Sequence, residues 1–87
     1  MARSVSLWKV RETADEVEYD YGSDRQSAGM LAVSKSTGQV RYIRSVTGYS
    51  EVDNAFVFRL LAKAKAQMLQ RAGSFPDQAT LSTSELI

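Results

Sequence analysis

The sequence predicts an α+β domain in which a four-stranded antiparallel β-meander, made of two hairpins, is followed by one long amphipathic helix on one sheet face. Apolar and polar side chains alternate in the first half of the chain, and apolar side chains recur at four-residue steps over residues 51–72. We predict a single domain over residues 1–73. Residues 74–87 then form a polar tail, either loose or folded back over apolar surface.

The first hairpin is predicted from residues 5–11 and 16–21, which flank the polar segment ETAD. A turn that places Arg11 opposite Glu16 sets the register of the whole hairpin. Acidic side chains of the second strand then face basic ones of the first. This pattern predicts a charge-paired, solvent-exposed row rather than a metal site. Asp20 has no basic partner in this register, which leaves a cation or a basic partner open there.

The second hairpin is predicted from the apolar runs on either side of KSTG, with Gly38 as the left-handed residue of the turn. A three-residue loop would pair Lys35 with Gln39. The bulkier aliphatic residues of this hairpin are assigned to the face under the helix: Leu31, Val33 and Ile43. Its other face is the predicted partner-contact surface: Met30, Ala32, Val40 and Tyr42.

The helix is predicted over residues 51–72. Ser50 and Asp53 are the candidates for its N-cap, and Gly73 ends it. Its apolar stripe is wide enough to cover one face of the sheet. The stripe consists of Phe56, Val57, Leu60, Leu61, Ala64, Met68 and Leu69.

The composition argues against most catalytic mechanisms. The chain has no histidine and no cysteine, and it has no glycine-rich phosphate loop. We therefore expect no enzyme activity, catalytic residue, cofactor or metal. The helix candidate carries too many charges to span a bilayer, and no signal peptide is apparent, so we expect a cytoplasmic protein without a membrane partner.

Two functions remain. Both faces of the second hairpin carry apolar side chains, although one helix covers only one face. We therefore expect a small non-catalytic protein-interaction module that forms a homodimer, or docks a protein partner, through this hairpin. The alternative is weak, low-specificity nucleic-acid binding by a basic hairpin and helix stripe. That stripe consists of Lys35, Arg41, Arg44, Arg59, Lys63 and Arg71. A formal net charge of +1 disfavours it.

Overall fold

The structure, a computed structural model, describes residues 4–22, 29–44 and 52–82. The strands are β1 (Ser4–Glu12), β2 (Glu16–Gly22), β3 (Gly29–Ser34), β4 (Val40–Arg44) and β5 (Gln78–Ser82), and the helix is α1 (Val52–Ala72). All five strands form one antiparallel sheet in the order β4-β3-β2-β1-β5. The helix contacts every strand and lies on one face of the sheet. The predicted α+β class is confirmed.

The predicted count of four strands is wrong by one, because part of the tail folds back. The segment Gln78–Ser82 pairs with β1, and Leu81 lies opposite Val5. Both side chains are fully buried. The sheet therefore extends past the predicted boundary at residue 73. Pairing of the outer edge of β1 and burial of one leucine give this mostly polar segment a reason to order.

The register of the first hairpin differs from the predicted one, because β1 contains a β-bulge. Arg11 pairs with Glu18 but Lys9 pairs with Tyr19, which leaves Val10 as an extra residue in β1. A bulge shifts the alternation of side chains between the two faces of a strand. Leu7 and Arg11 would share a face in a regular strand. Because of the bulge, Leu7 lies on the buried face with Tyr21, and Arg11 lies on the opposite face with Glu18.

The loop of the second hairpin is one residue longer than predicted. The Ser34 N–H donates to the Gln39 carbonyl at 2.9 Å, so residues 35–38 form a four-residue loop. Gly38 has φ +78°, as predicted, and its N–H donates to the Ser34 carbonyl at 2.9 Å. Because side chains alternate with a period of two, the extra residue reverses the faces of β4.

The reversal changes which residues of β4 face the helix. Leu31 pairs with Tyr42, and Val33 pairs with Val40. Val40 and Tyr42 pack against the core, whereas Ile43 is 43% exposed. Assigning Ile43 to the buried face was therefore wrong. A register shift between Met30 and Leu31 adds a second irregularity at this end of the hairpin.

The helix matches its predicted span to within one residue and ends before Gly73, which has φ +72°. Asp53 lies inside its first turn, and Ser50 lies outside the described residues. Among the described residues, no helix combines the length and the apolar character needed to cross a lipid bilayer.

The buried side of the helix differs from the predicted stripe. Leu60 and Met68 are 51% and 41% exposed, whereas Leu61, Ala62 and Ala66 are buried. The side chains of Phe56 and Val57 lie outside the described part of the chain. Over residues 59–72, the helix thus packs on the sheet with three alanines and two leucines, and the predicted stripe is confirmed there at Leu61, Ala64 and Leu69.

Two tyrosines on β2 supply that bulk. Tyr19 and Tyr21 are the largest fully buried side chains among the described residues. The Tyr19 hydroxyl donates to the Pro76 carbonyl at 2.8 Å, and burial raises the pKa of Tyr19 to about 12. The Tyr21 hydroxyl is also buried but has no hydrogen-bond partner among the described residues. The two phenols are thus buried alike and bonded differently.

We expect Tyr19→Phe and Tyr21→Phe to have different effects on stability. Removing the Tyr19 hydroxyl breaks a buried hydrogen bond and should lower the free energy of unfolding by about 1 kcal/mol. Removing the Tyr21 hydroxyl takes away an unsatisfied polar group, so stability should stay unchanged or rise. Urea denaturation of both variants and the wild type measures the difference. Equal losses would contradict this view of the core.

Candidate interaction surface on the open sheet face

The face of the sheet opposite α1, called here the open face, carries the candidate site. Residues directly opposite each other in an antiparallel ladder share a face, so the pairing defines its rows. One row holds Trp8, Asp20, Met30 and Arg44, and the next holds Arg11, Glu18, Ala32 and Arg41. Among the described elements, α1 is the one that packs across the sheet, and it lies on the other side.

Three arginine–carboxylate pairs cross the open face. Their nitrogen–oxygen distances are 3.6 Å for Arg11–Glu18, 3.1 Å for Arg41–Glu16 and 3.4 Å for Arg44–Asp20. The predicted charge-paired row is confirmed, but the partners differ from the predicted ones, because two of the arginines come from β4. The expectation that Asp20 has no basic partner was wrong. Within the described ranges, no three acidic side chains form a group that could hold a metal ion.

The arginines stand outward and the carboxylates are recessed. The side chains of Arg11, Arg41 and Arg44 are 66%, 63% and 53% exposed. The acidic side chains are less accessible, at 18% for Glu18 and 12% for Asp20. Each of these two pairs thus joins an exposed guanidinium group to a largely covered carboxylate. The guanidinium group keeps N–H donors that can bind a further partner while the pair stays intact.

Small and apolar side chains lie between these charges. Ala32 is buried and Met30 is half-buried, and both belong to β3, between the acids of β2 and the arginines of β4. A depression of about 360 Å³ opens beside Ala32. It is lined by Glu16, Ala32, Ser34, Gln39, Val40 and Arg41. On the open face, β3 thus carries small and apolar side chains. It lies between β2, which carries acidic side chains, and β4, which carries arginines.

The predicted partner-contact residues do not form one surface. Met30 and Ala32 lie on the open face, but Val40 and Tyr42 face the helix side. The Tyr42 hydroxyl donates to the Arg59 carbonyl at 3.1 Å, and the Arg59 guanidinium lies 4.4 Å from the centre of the Tyr42 ring. The assumption of a single face was wrong because it depended on the three-residue loop.

The predicted nucleic-acid-binding residues are also divided. Arg41 and Arg44 are ion-paired on the open face, and Lys35 is paired with Glu12 at 2.7 Å. The remaining three lie on α1, on the other side of the sheet: Arg59, Lys63 and Arg71. The hairpin and the helix therefore do not form one continuous basic stripe.

Sequence analysis did not include the acids of β2 in the contact surface. Their alternate spacing showed that Glu16, Glu18 and Asp20 share one face, which is the signal that could have identified them. What the spacing lacked was the register, which brings arginines of β4 to two of these acids. Arg41 and Arg44 thus belong to the same surface as the acids of β2.

A separate charged cluster stabilises the turn end of the sheet. Glu12 accepts hydrogen bonds from Lys9 and Lys35, each at 2.7 Å. These bonds, that from Lys35 first, lower the pKa of Glu12 to about 2. Because Lys35 lies in the β3–β4 loop, the cluster connects β1 with the second hairpin across β2.

We expect Glu12 to make folding pH-dependent in acid. Its pKa is lower in the folded chain than the ordinary value of 4.5, so its stabilising effect is present above about pH 4.5 and is lost as the pH falls towards 2. Thermal melts of the wild type and Glu12→Gln at intervals between pH 6 and pH 2 measure it. The wild type should be more stable near neutrality, and the two curves should converge in acid. A constant difference across this range would contradict the assignment.

No protein-family model matches this chain, and neither a curated protein nor a solved structure does. Its function is therefore inferred from the geometry of its own side chains.

Proposed function

We propose that the chain is a small non-catalytic protein-interaction module that self-associates through the open face of its second hairpin. One observation carries the proposal: on the open face, the small and apolar side chains of β3 lie between the acids of β2 and the arginines of β4. The helix packs on the other face, so this surface has no described element across it. An ordered arrangement of charges of both signs can be matched by a protein surface with the complementary pattern.

The charge balance of the open face favours a protein over a polyanion. Its three arginines are matched by three carboxylates, which gives a net charge of zero across the pairs. A nucleic acid or an anionic membrane would bring negative charge against the acids of β2. A protein surface with both signs can match the pattern, and such complementarity gives specificity.

The same pairing supports a non-catalytic role. A general acid or base must be free to exchange a proton with a substrate. Glu16, the carboxylate that lines the depression, is held by Arg41 at 3.1 Å. The chain also has neither histidine nor cysteine to act in its place.

A chain without cysteine suits a reducing compartment, and we place this protein in the cytoplasm on that basis.

We expect Met30→Asp to abolish self-association and leave the fold intact, because it adds a charge at the centre of the open face. The matched control is Leu60→Asp, which adds the same charge to an exposed position of the helix. Sedimentation equilibrium over a wide concentration range measures all three proteins. Wild type and control should show a concentration-dependent dimer, and Met30→Asp should remain a monomer. A wild type that stays monomeric at high concentration would refute self-association.

Nucleic-acid binding stays a second candidate, now limited to the helix. Lys63 and Arg71 are exposed and form no ion pair within the described part of the chain. We expect any such binding to weaken steeply as salt rises, because it would depend on phosphate contacts. Lys63→Ala with Arg71→Ala should then abolish it, and Arg41→Ala with Arg44→Ala should not. Titration with short oligonucleotides at low and high salt measures this. No binding of the wild type at low salt would rule this candidate out.

A further inference from the structure

We propose that two copies of this chain pack open face against open face, with a two-fold axis that runs along β3. This inference rests on the proposed self-association and gives it a geometry. Most protein dimers are isologous, so each contact occurs twice and the surface must complement itself. The acids of β2 and the arginines of β4 lie on either side of β3, so the open face complements itself when the axis runs along β3.

An axis along β3 exchanges the strands on its two sides. Because β2 and β4 are the two neighbours of β3, β2 of one copy would lie over β4 of the other. A rotation about this axis keeps each row at the same height along the strands. Glu18 would therefore face Arg41 of the second copy, because both belong to the row of Ala32. Asp20 would face Arg44 of the second copy, because both belong to the row of Met30.

Other positions of the axis bring like charges together. An axis along β2 would place Glu18 and Asp20 against their own counterparts. An axis along β4 would place Arg41 against Arg41, and an axis between β2 and β3 would place Arg41 over Arg11. Like charges in contact across an interface are unfavourable, so these arrangements are disfavoured. An axis between β3 and β4 would lay the arginines of β4 over β3 and leave the acids of β2 beyond the sheet edge of the second copy. Of these five positions, the one along β3 brings opposite charges together.

The residues on the axis suit this role. Met30, which is half-buried, would meet its own counterpart on the axis, and two uncharged side chains can be in contact there without repulsion. Ala32 is only 1% exposed and would leave room at the axis rather than add contact area. Ala32 is small, which lets the sheets approach to the usual separation of about 10 Å. Met30 is flexible and apolar and can adapt to a copy of itself. The central strand of the interface would thus be apolar, with the ion pairs around it.

The arginines can bridge two copies without leaving their own partners. A guanidinium group has five N–H donors, and a single carboxylate occupies at most two of them. Arg41 and Arg44 are more than half exposed, so several donors of each remain directed outward. Each would add an acceptor from the second copy. By symmetry, the dimer gains four such contacts.

A charge-reversal experiment tests the axis. Glu18→Lys would place a lysine against Arg41 of its own second copy, and Arg41→Glu would place a glutamate against Glu18. Each variant alone should be monomeric at a concentration where the wild type is a dimer. An equimolar mixture of the two should recover the dimer, because both contacts are then between opposite charges. Lys63→Glu, a reversal on the helix, is the control and should dimerise like the wild type.

The double variant Glu18→Lys/Arg41→Glu gives a second measurement that does not need the single variants to fold. It reverses the charges at Glu18 and Arg41, the two positions that face each other across the β3 axis, and should dimerise with itself. It should not form mixed dimers with the wild type, as measured by native mass spectrometry. A wild-type dimer combined with no recovery in the mixture, or with free mixing of the double variant, would overturn the β3 axis. A wild-type monomer would instead refute the proposed function.

Discussion

Burial of two tyrosines on the central strand is the constraint on which the rest of the structure depends. Tyr19 and Tyr21 are fully covered, so the space under the helix is filled from the sheet side. Over residues 59–72, two of the three buried side chains of the helix are alanines, Ala62 and Ala66, and the third is Leu61. Gly29 lies opposite Tyr21, and a Cβ atom at that position would lie 2.7 Å from the ring. Because packing is this close, the size of each of these side chains is limited by the side chains around it.

The acids of β2 are the other consequence of the same strand. Val17, Tyr19 and Tyr21 face the helix side. Because side chains alternate along a strand, Glu16, Glu18 and Asp20 point to the open face. A bulge in β1 then brings Arg11 to that face, and the long loop of the second hairpin brings Arg41 there. The charged surface is therefore the reverse side of the tyrosine core.

This arrangement places the core and the proposed contact surface on opposite sides of the sheet. On the helix side, the buried tyrosines and the hydrogen bonds of Tyr19 and Tyr42 stabilise the fold. On the open face, each guanidinium group of the ion pairs keeps N–H donors for a further group. A neutral but ordered pattern of charge gives specificity more than affinity, which suits a weak and selective contact.

The sequence by itself determined the fold class, the helix and its end at Gly73, the left-handed Gly38, and the alternation that places the β2 acids on the sheet face opposite Tyr19 and Tyr21. These features depend on local periodicity and backbone preference, which act within a few residues. Tertiary structure decided the register of both hairpins, the fifth strand and the buried side of the helix. One extra residue in a loop or a bulge moves a whole set of side chains from one sheet face to the other. Whether the chain adopts that extra residue depends on packing against residues far away in the sequence. The partners of Glu16 and Asp20, and hence the candidate surface, followed from that packing.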